Sequence, residues 1–161
     1  MIELSDSQKA EFAHRSYHAV DGLWFMKVEE RYGFDAALEI DNEVWQVLPK
    51  IQARMLKAMA KVQEGMEALL KCLTIKLALE GFQFDAQRSE SGTGFTVSIS
   101  RCPWHDAMLK SGREELSGKV NSVVCCTEHS VWAAVFGHDI HFEQKDRICT
   151  GSDTCLFKFH V

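Results

Sequence analysis

The chain has 161 residues, 46% of them hydrophobic and 25% charged, with a net charge of −5. That balance suits one folded domain with a sizeable core and excludes a disordered chain. An acidic total with no basic block argues against a nucleic-acid partner, and the lack of any apolar run of about 18 residues argues against a membrane partner.

The opening Met1-Ile2-Glu3-Leu4-Ser5-Asp6 is acidic and lacks the basic-then-apolar pattern of a signal peptide, so a cytoplasmic location is expected. Ser5 or Asp6 is placed to cap a helix that includes Phe12, Tyr17 and Val20. Gly22 interrupts its pattern and Leu23-Trp24-Phe25-Met26 resumes it, as one bent helix or as two meeting at Asp21-Gly22. Gly33 closes the segment. A second helix carries Phe34, Ala37, Leu38, Asp41 and Trp45 and stops before Leu48-Pro49. From Lys50 to Leu79 apolar residues recur at spacings of three and four, which predicts one long helix. Its Met-rich stripe, with Ile51, Met55, Met59 and Met66, is expected to be core packing.

Gly81 ends the helical half. Phe82 and Phe84 alternate with polar residues as a first strand, and Gln87 to Thr93 reads as a hairpin loop. Phe95, Val97 and Ile99 share one face of a second strand that ends at Arg101. Pro103 suits the first position of a helix running to about Gly112. Arg113 to Gly118 is expected to be a linker and Val120 to Phe136 a further helix. Asp139 to Ile148 alternates as a third strand, Thr150-Gly151-Ser152-Asp153 forms a turn, and Cys155, Phe157 and Phe159 line one face of the last strand. The sum is a single α+β domain over residues 1–161. A helical half, 1–80, packs on an α+β ligand-binding half, 81–161, with a four-stranded antiparallel sheet and two interspersed helices.

Five of the six cysteines fall in this second half, together with His105, His129, His138, His141 and His160. Cys102 sits at a strand-to-helix corner, where free backbone N–H groups and the helix dipole favour a thiolate. His105 follows on the same side of the helix. The pair is a candidate nucleophile and base. Cys102, Cys149, Cys155 and one of Cys125 and Cys126 are candidates to converge at one end of the sheet, with His129 one turn beyond the doubled cysteine. Four thiolates suit zinc or an iron–sulfur cluster, and three with an open position suit catalysis. No Cys-x-x-Cys pair supports either. On the first helix, His18 and Asp21 lie among aromatic residues. They read either as an acid–base pair in an apolar pocket or as a packing seam with Asp21 as a cap.

Asp21-Gly22-Leu23-Trp24-Phe25, Val28 to Phe34 and Ala37 to Asp41 resemble the helical half of an uncharacterised family of anaerobic bacteria and archaea. Cys102-Pro103-Trp104, Trp132 and Ile148 to Phe157 resemble the second half of the aminothiazoline-carboxylate hydrolase-like family, and the ending is similar to the 4-vinyl reductase domain. The likeness spans nearly the whole chain. It implies a small-molecule-binding α+β fold with cysteines near its end, and it singles out Cys102, Cys149, Cys155 and one of Cys125 and Cys126.

The leading expectation is therefore a protein that binds a small molecule beside a cysteine and histidine metal or cluster site. His18, Trp24 and Trp104 are the candidate ligand-contacting residues. The alternative is a hydrolase opening a cyclic amidine or thiazoline, through metal-bound water with His105, His129 or Asp21 as base, or through the Cys102 thiolate. A third reading is an adaptor that pairs the 50–79 helix with its copy in a homodimer.

Overall fold

The computed structural model describes residues 2–161, and the chain divides into two compact units, Met1–Asp41 and Asn42–Val161, a boundary earlier than the 80/81 division between the expected halves. In the first unit α1, Asp6–Tyr32, is one continuous helix that carries Gly22 in its interior. A reciprocal capping box starts it: the Gln8 N–H donates to Ser5 Oγ at 3.2 Å, and the Ser5 N–H donates to Gln8 Oε1 at 2.9 Å. Gly33, at φ 87°, turns the chain into α2, Phe34–Trp45, and Phe25 meets Phe34 edge-on at 5.8 Å.

The second unit begins within α2. There Asn42 Oδ1 accepts a hydrogen bond of 2.6 Å from Thr127 Oγ1. The long helix expected over 50–79 is two helices, α3, Leu48–Ala60, and α4, Met66–Leu79. Lys61 breaks it in the left-handed conformation, at φ 53°, and Gly65 begins α4 at φ 98°. The break changes what is buried. α3 turns Pro49, Ala53 and Leu56 inward and leaves Ile51, Met55 and Met59 exposed, so of the Met-rich stripe only Met66 packs against the core.

Two strands follow, β1, Gln83–Arg88, and β2, Gly94–Arg101. Then come α5, Pro103–Lys110, and α6, Glu114–Val120, where a linker was expected. A π turn, Asn121–Cys125, joins α6 directly to α7, Cys126–Phe136. β3, His141–Gln144, a 3-10 turn at Ile148–Thr150 and β4, Cys155–His160, complete the unit. The sheet order is β1-β2-β4-β3, antiparallel throughout. This is the expected α+β class.

Strand alternation decides where the core sits. Phe95, Val97 and Ile99 of β2 and Cys155, Phe157 and Phe159 of β4 face inward, against Leu69, Cys72, Leu73 and Leu77 of α4 and Trp132, Ala133 and Phe136 of α7. Each such large apolar side chain contributes about 1.5–3 kcal/mol on burial. Gly94 starts β2 opposite His160, where a Cβ would collide with the Phe159 carbonyl oxygen. Gly94→Ala is expected to destabilise the protein by roughly 1–3 kcal/mol, read as a lower thermal midpoint, because the β2–β4 ladder has to shift to admit the methyl group. No described helix is long and apolar enough to cross a membrane.

Candidate functional site

Pro103 ends β2 and opens α5, which leaves Cys102 at the corner as the helix cap. β4 opens at Cys155, paired with Ile99 of β2. Cys155 Sγ accepts a 3.3 Å hydrogen bond from the Ile148 N–H, and this draws the turn that carries Cys149 toward the sheet. α6 packs against the same turn at Gly118, where even a Cβ would stand in ordinary contact with the Cys149 carbonyl oxygen, 3.4 Å away. The π turn then presents Cys125.

These segments enclose a cavity of about 50 Å³ at one end of the sheet. Cys102, Cys125, Cys149 and Cys155 all line it. Trp104, Met108, Val120 and Ile148 form its apolar walls, and His105, Ser117 and Asn121 supply the polar ones. Trp104 is braced edge-on by Trp45 at 6.0 Å. Hollows of about 600 and 720 Å³ elsewhere are bordered by Glu64, Lys71 and Arg88 or by Lys50, Arg54 and Lys57, and include none of the expected site residues.

Burial governs the thiols. The Cys102 thiol is pushed up to about 12, chiefly by desolvation. The N–H groups of His105 and Trp104 pull the other way, as its corner position implies, but do not prevail. The thiolate expected from the helix terminus is therefore a neutral thiol. Cys125 is raised well above its ordinary value, first by burial and then by the nearness of Cys102, Glu128, Cys155 and Cys149. Cys149 and Cys155 are raised as well, again mainly by burial.

The doubled cysteine resolves in favour of Cys125. Cys126 points to Gln144, with its Sγ 3.8 Å from Oε1, and does not line the cavity. His129 does not line it either. Its Nδ1 is hydrogen-bonded to the Cys125 carbonyl at 2.8 Å, and its ring lies against Phe142 and Phe157, with centroids 5.2 and 4.3 Å away. Burial and the charge of Lys76 lower its pKa to about 3, so it is a neutral core histidine. His105 is on the cavity wall, with Nδ1 hydrogen-bonded to Ser117 Oγ at 2.8 Å. His18, Asp21 and Trp24 belong to α1 in the first unit, outside the unit that holds the cavity. His18 there lies against His14 with the rings tilted and their centroids 4.4 Å apart, and Trp24 is 65% exposed.

Ser117 and Asn121 were missed from sequence. The signal was present: Ser117, Asn121 and Cys125 recur every fourth residue, but the first of them falls in the segment read as a linker.

Four soft sulfur donors fit zinc or an iron–sulfur cluster in kind. Their spacing is another matter. A zinc ion with bonds of about 2.3 Å to sulfur holds its ligand atoms within about 4 Å of one another. Among the described residues no three His, Cys, Asp or Glu side chains are grouped to hold an ion as they stand.

No curated protein matches the chain. The family model that matches spans residues 5–156 and describes a family of unknown function, DUF6125, to which this chain belongs.

Proposed function

We propose that this is a cytosolic small-ligand-binding protein whose working site is the sulfur-lined cavity, with Cys102, Cys125, Cys149 and Cys155 as the donors for a thiophilic metal centre. One observation carries the reading: four cysteines from separate segments border the same hollow. Keeping a hollow of about 50 Å³ beside a packed core costs on the order of 1 kcal/mol at about 24 cal/mol per Å³. Fully apolar packing of these side chains would avoid that cost. Six free cysteines among the described residues agree with a reducing compartment.

Binding requires the sulfurs to close inward and give up their protons, so affinity is expected to rise with pH. When bound, the group would supply a Lewis-acidic or redox-active atom at the cavity. The chain's own residues supply the apolar enclosure of Trp104, Met108, Val120 and Ile148 and the His105–Ser117 pair, which can hold a proton at the imidazole.

Protein purified without oxygen is expected to carry zinc or iron. Cys125→Ser should lower that content at least about tenfold, whereas Cys126→Ser leaves it unchanged because Cys126 points to Gln144. Wild-type protein free of both metals after anaerobic purification, and unable to take up either, would overturn the reading.

The His105–Ser117 hydrogen bond favours a second reading, a hydrolase of a cyclic amidine or thiazoline such as the aminothiazoline resemblance implies. The covalent route through Cys102 is the weaker form of it, since a thiol near 12 is about one part in 10⁵ ionised at neutral pH. The cavity also has to widen, because pockets for such ligands usually measure about 300 Å³ or more. Turnover that survives both chelation and Cys102→Ala would remove both routes, and no turnover of a thiazoline by the anaerobically purified protein would remove this reading.

A further inference from the structure

Asn121 is 8% exposed and lines the cavity beside Cys125, yet its Oδ1 has no hydrogen-bond partner among the described residues. A buried amide oxygen without a donor is unusual in a folded protein. Here it coincides with a second irregularity. Asn121 opens the π turn that Cys125 closes, and such turns gather at functional sites because the extra residue re-aims side chains out of the α-helical register. Both ends of the turn, Asn121 and Cys125, border the same hollow.

We propose that Asn121 is a docking acceptor for a small uncharged ligand that brings an N–H or O–H donor into the sulfur-lined cavity. Three features fix the class. The orphaned atom is an acceptor, so the ligand donates. Among the described residues no Lys, Arg, Asp or Glu lines the cavity, so a charged ligand would lose its hydration without a counter-charge. A water needs about 10–15 Å³ of such space, so about 50 Å³ admits a molecule of roughly three or four non-hydrogen atoms. Short amides and hydroxylated one- or two-carbon compounds meet all three. The proposal depends on the reading of this cavity as the working site but not on the metal.

The test uses the full chain, reduced and held in chelator, in a titration followed by amide chemical shifts. Formamide and acetonitrile have the same number of non-hydrogen atoms, and only formamide carries N–H donors. Formamide is expected to give saturable shifts at Ser117, Val120, Asn121 and Cys125, with an affinity about tenfold above that of acetonitrile. Asn121→Leu, which removes the acceptor and keeps the bulk, should abolish that preference. Equal affinity for the two probes, an unchanged preference in Asn121→Leu, or no saturable shift (water alone in the cavity) would each overturn the proposal. If the variant fails to fold, the comparison of the two probes on the wild-type chain decides alone. The metal content of the wild-type protein is a separate measurement, so either reading can fail without the other.

Discussion

Replacing Lys76 with methionine is expected to cost roughly 3–5 kcal/mol of stability, because it strands two buried carboxylates. Lys76 is only 3% exposed, in the last turn of α4. Its ammonium meets Glu80 Oε2 at 2.9 Å, one turn further along, and Glu128 on α7, and it lies 5.8 Å from the centre of the Phe82 ring. Burial works against its charge, but Glu128 and Glu80 outweigh burial and hold the group above its ordinary value. The contribution of such a raised lysine is fully present below about pH 10.5 and is lost only as pH rises through the folded-state value. Glu80 and Glu128 are themselves 6% and 5% exposed, so without the ammonium neither has a countercharge or free access to water. Urea denaturation at neutral pH reads the loss as a lower midpoint. The combined Lys76→Met, Glu80→Gln and Glu128→Gln variant should recover much of it, since a neutral cluster carries no uncompensated charge. A Lys76→Met protein as stable as the wild type would show that the triad contributes nothing.

Acid is expected to weaken the protein through His129. Its folded-state pKa is about 3, against an ordinary value of 6.5. Burial is the main cause, with the charge of Lys76 second. The Cys125 carbonyl and Glu80 oppose them. The groups around the ring are Lys76 of α4 and Glu80 just beyond its end, Glu128 of α7 with an oxygen 3.9 Å from Nδ1, and the apolar rings of Phe142 and Phe157. The sign follows from the lowered value. Above pH 6.5 neither the folded nor the unfolded chain protonates this ring, and stability is at its full level. As pH falls from 6.5 toward 3 the unfolded chain takes up a proton that the folded chain refuses, so unfolding is favoured by an amount on the order of 4 kcal/mol. Urea midpoints measured from pH 7 down to pH 4 should therefore fall. His129→Phe, which keeps an aromatic ring between Phe142 and Phe157, should flatten that part of the profile. Identical profiles for the two proteins would remove His129 as the cause.

Strand alternation carried most of the fold that was legible in the sequence. Phe95, Val97 and Ile99, and Cys155, Phe157 and Phe159, all face the core as their period of two implies. The Cys102-Pro103 corner is also where proline chemistry places it. Helical periodicity did less well, for physical reasons. Lys61 and Gly65, both at positive φ, break the helix without disturbing the spacing of apolar residues on either side, so the pattern from Ile51 to Leu77 reads as continuous. On α3 the small residue Ala53 and the ring of Pro49 are turned inward, and their size gives a weak periodic signal beside Met55 and Met59. α6 was hidden by its short, polar sequence, and with it went Ser117. Lys76 and Glu128 look like solvated charges because a sequence does not show that opposite charges from two helices meet inside a core. The convergence of four cysteines was legible from strand and helix ends. Their protonation was not, because the balance between desolvation and nearby N–H groups depends on depth.

The π turn also changes how the chain from Glu114 to Phe136 is to be counted. One surplus residue is absorbed between α6 and α7, and each residue of a helix is worth about 100° of rotation. A helical wheel drawn straight through this stretch therefore sends every side chain beyond Cys125 to the wrong compass bearing. The same offset puts neighbours in sequence to separate uses: Cys125 opens onto the hollow, Cys126 turns to Gln144, and His129 closes into the aromatic interior.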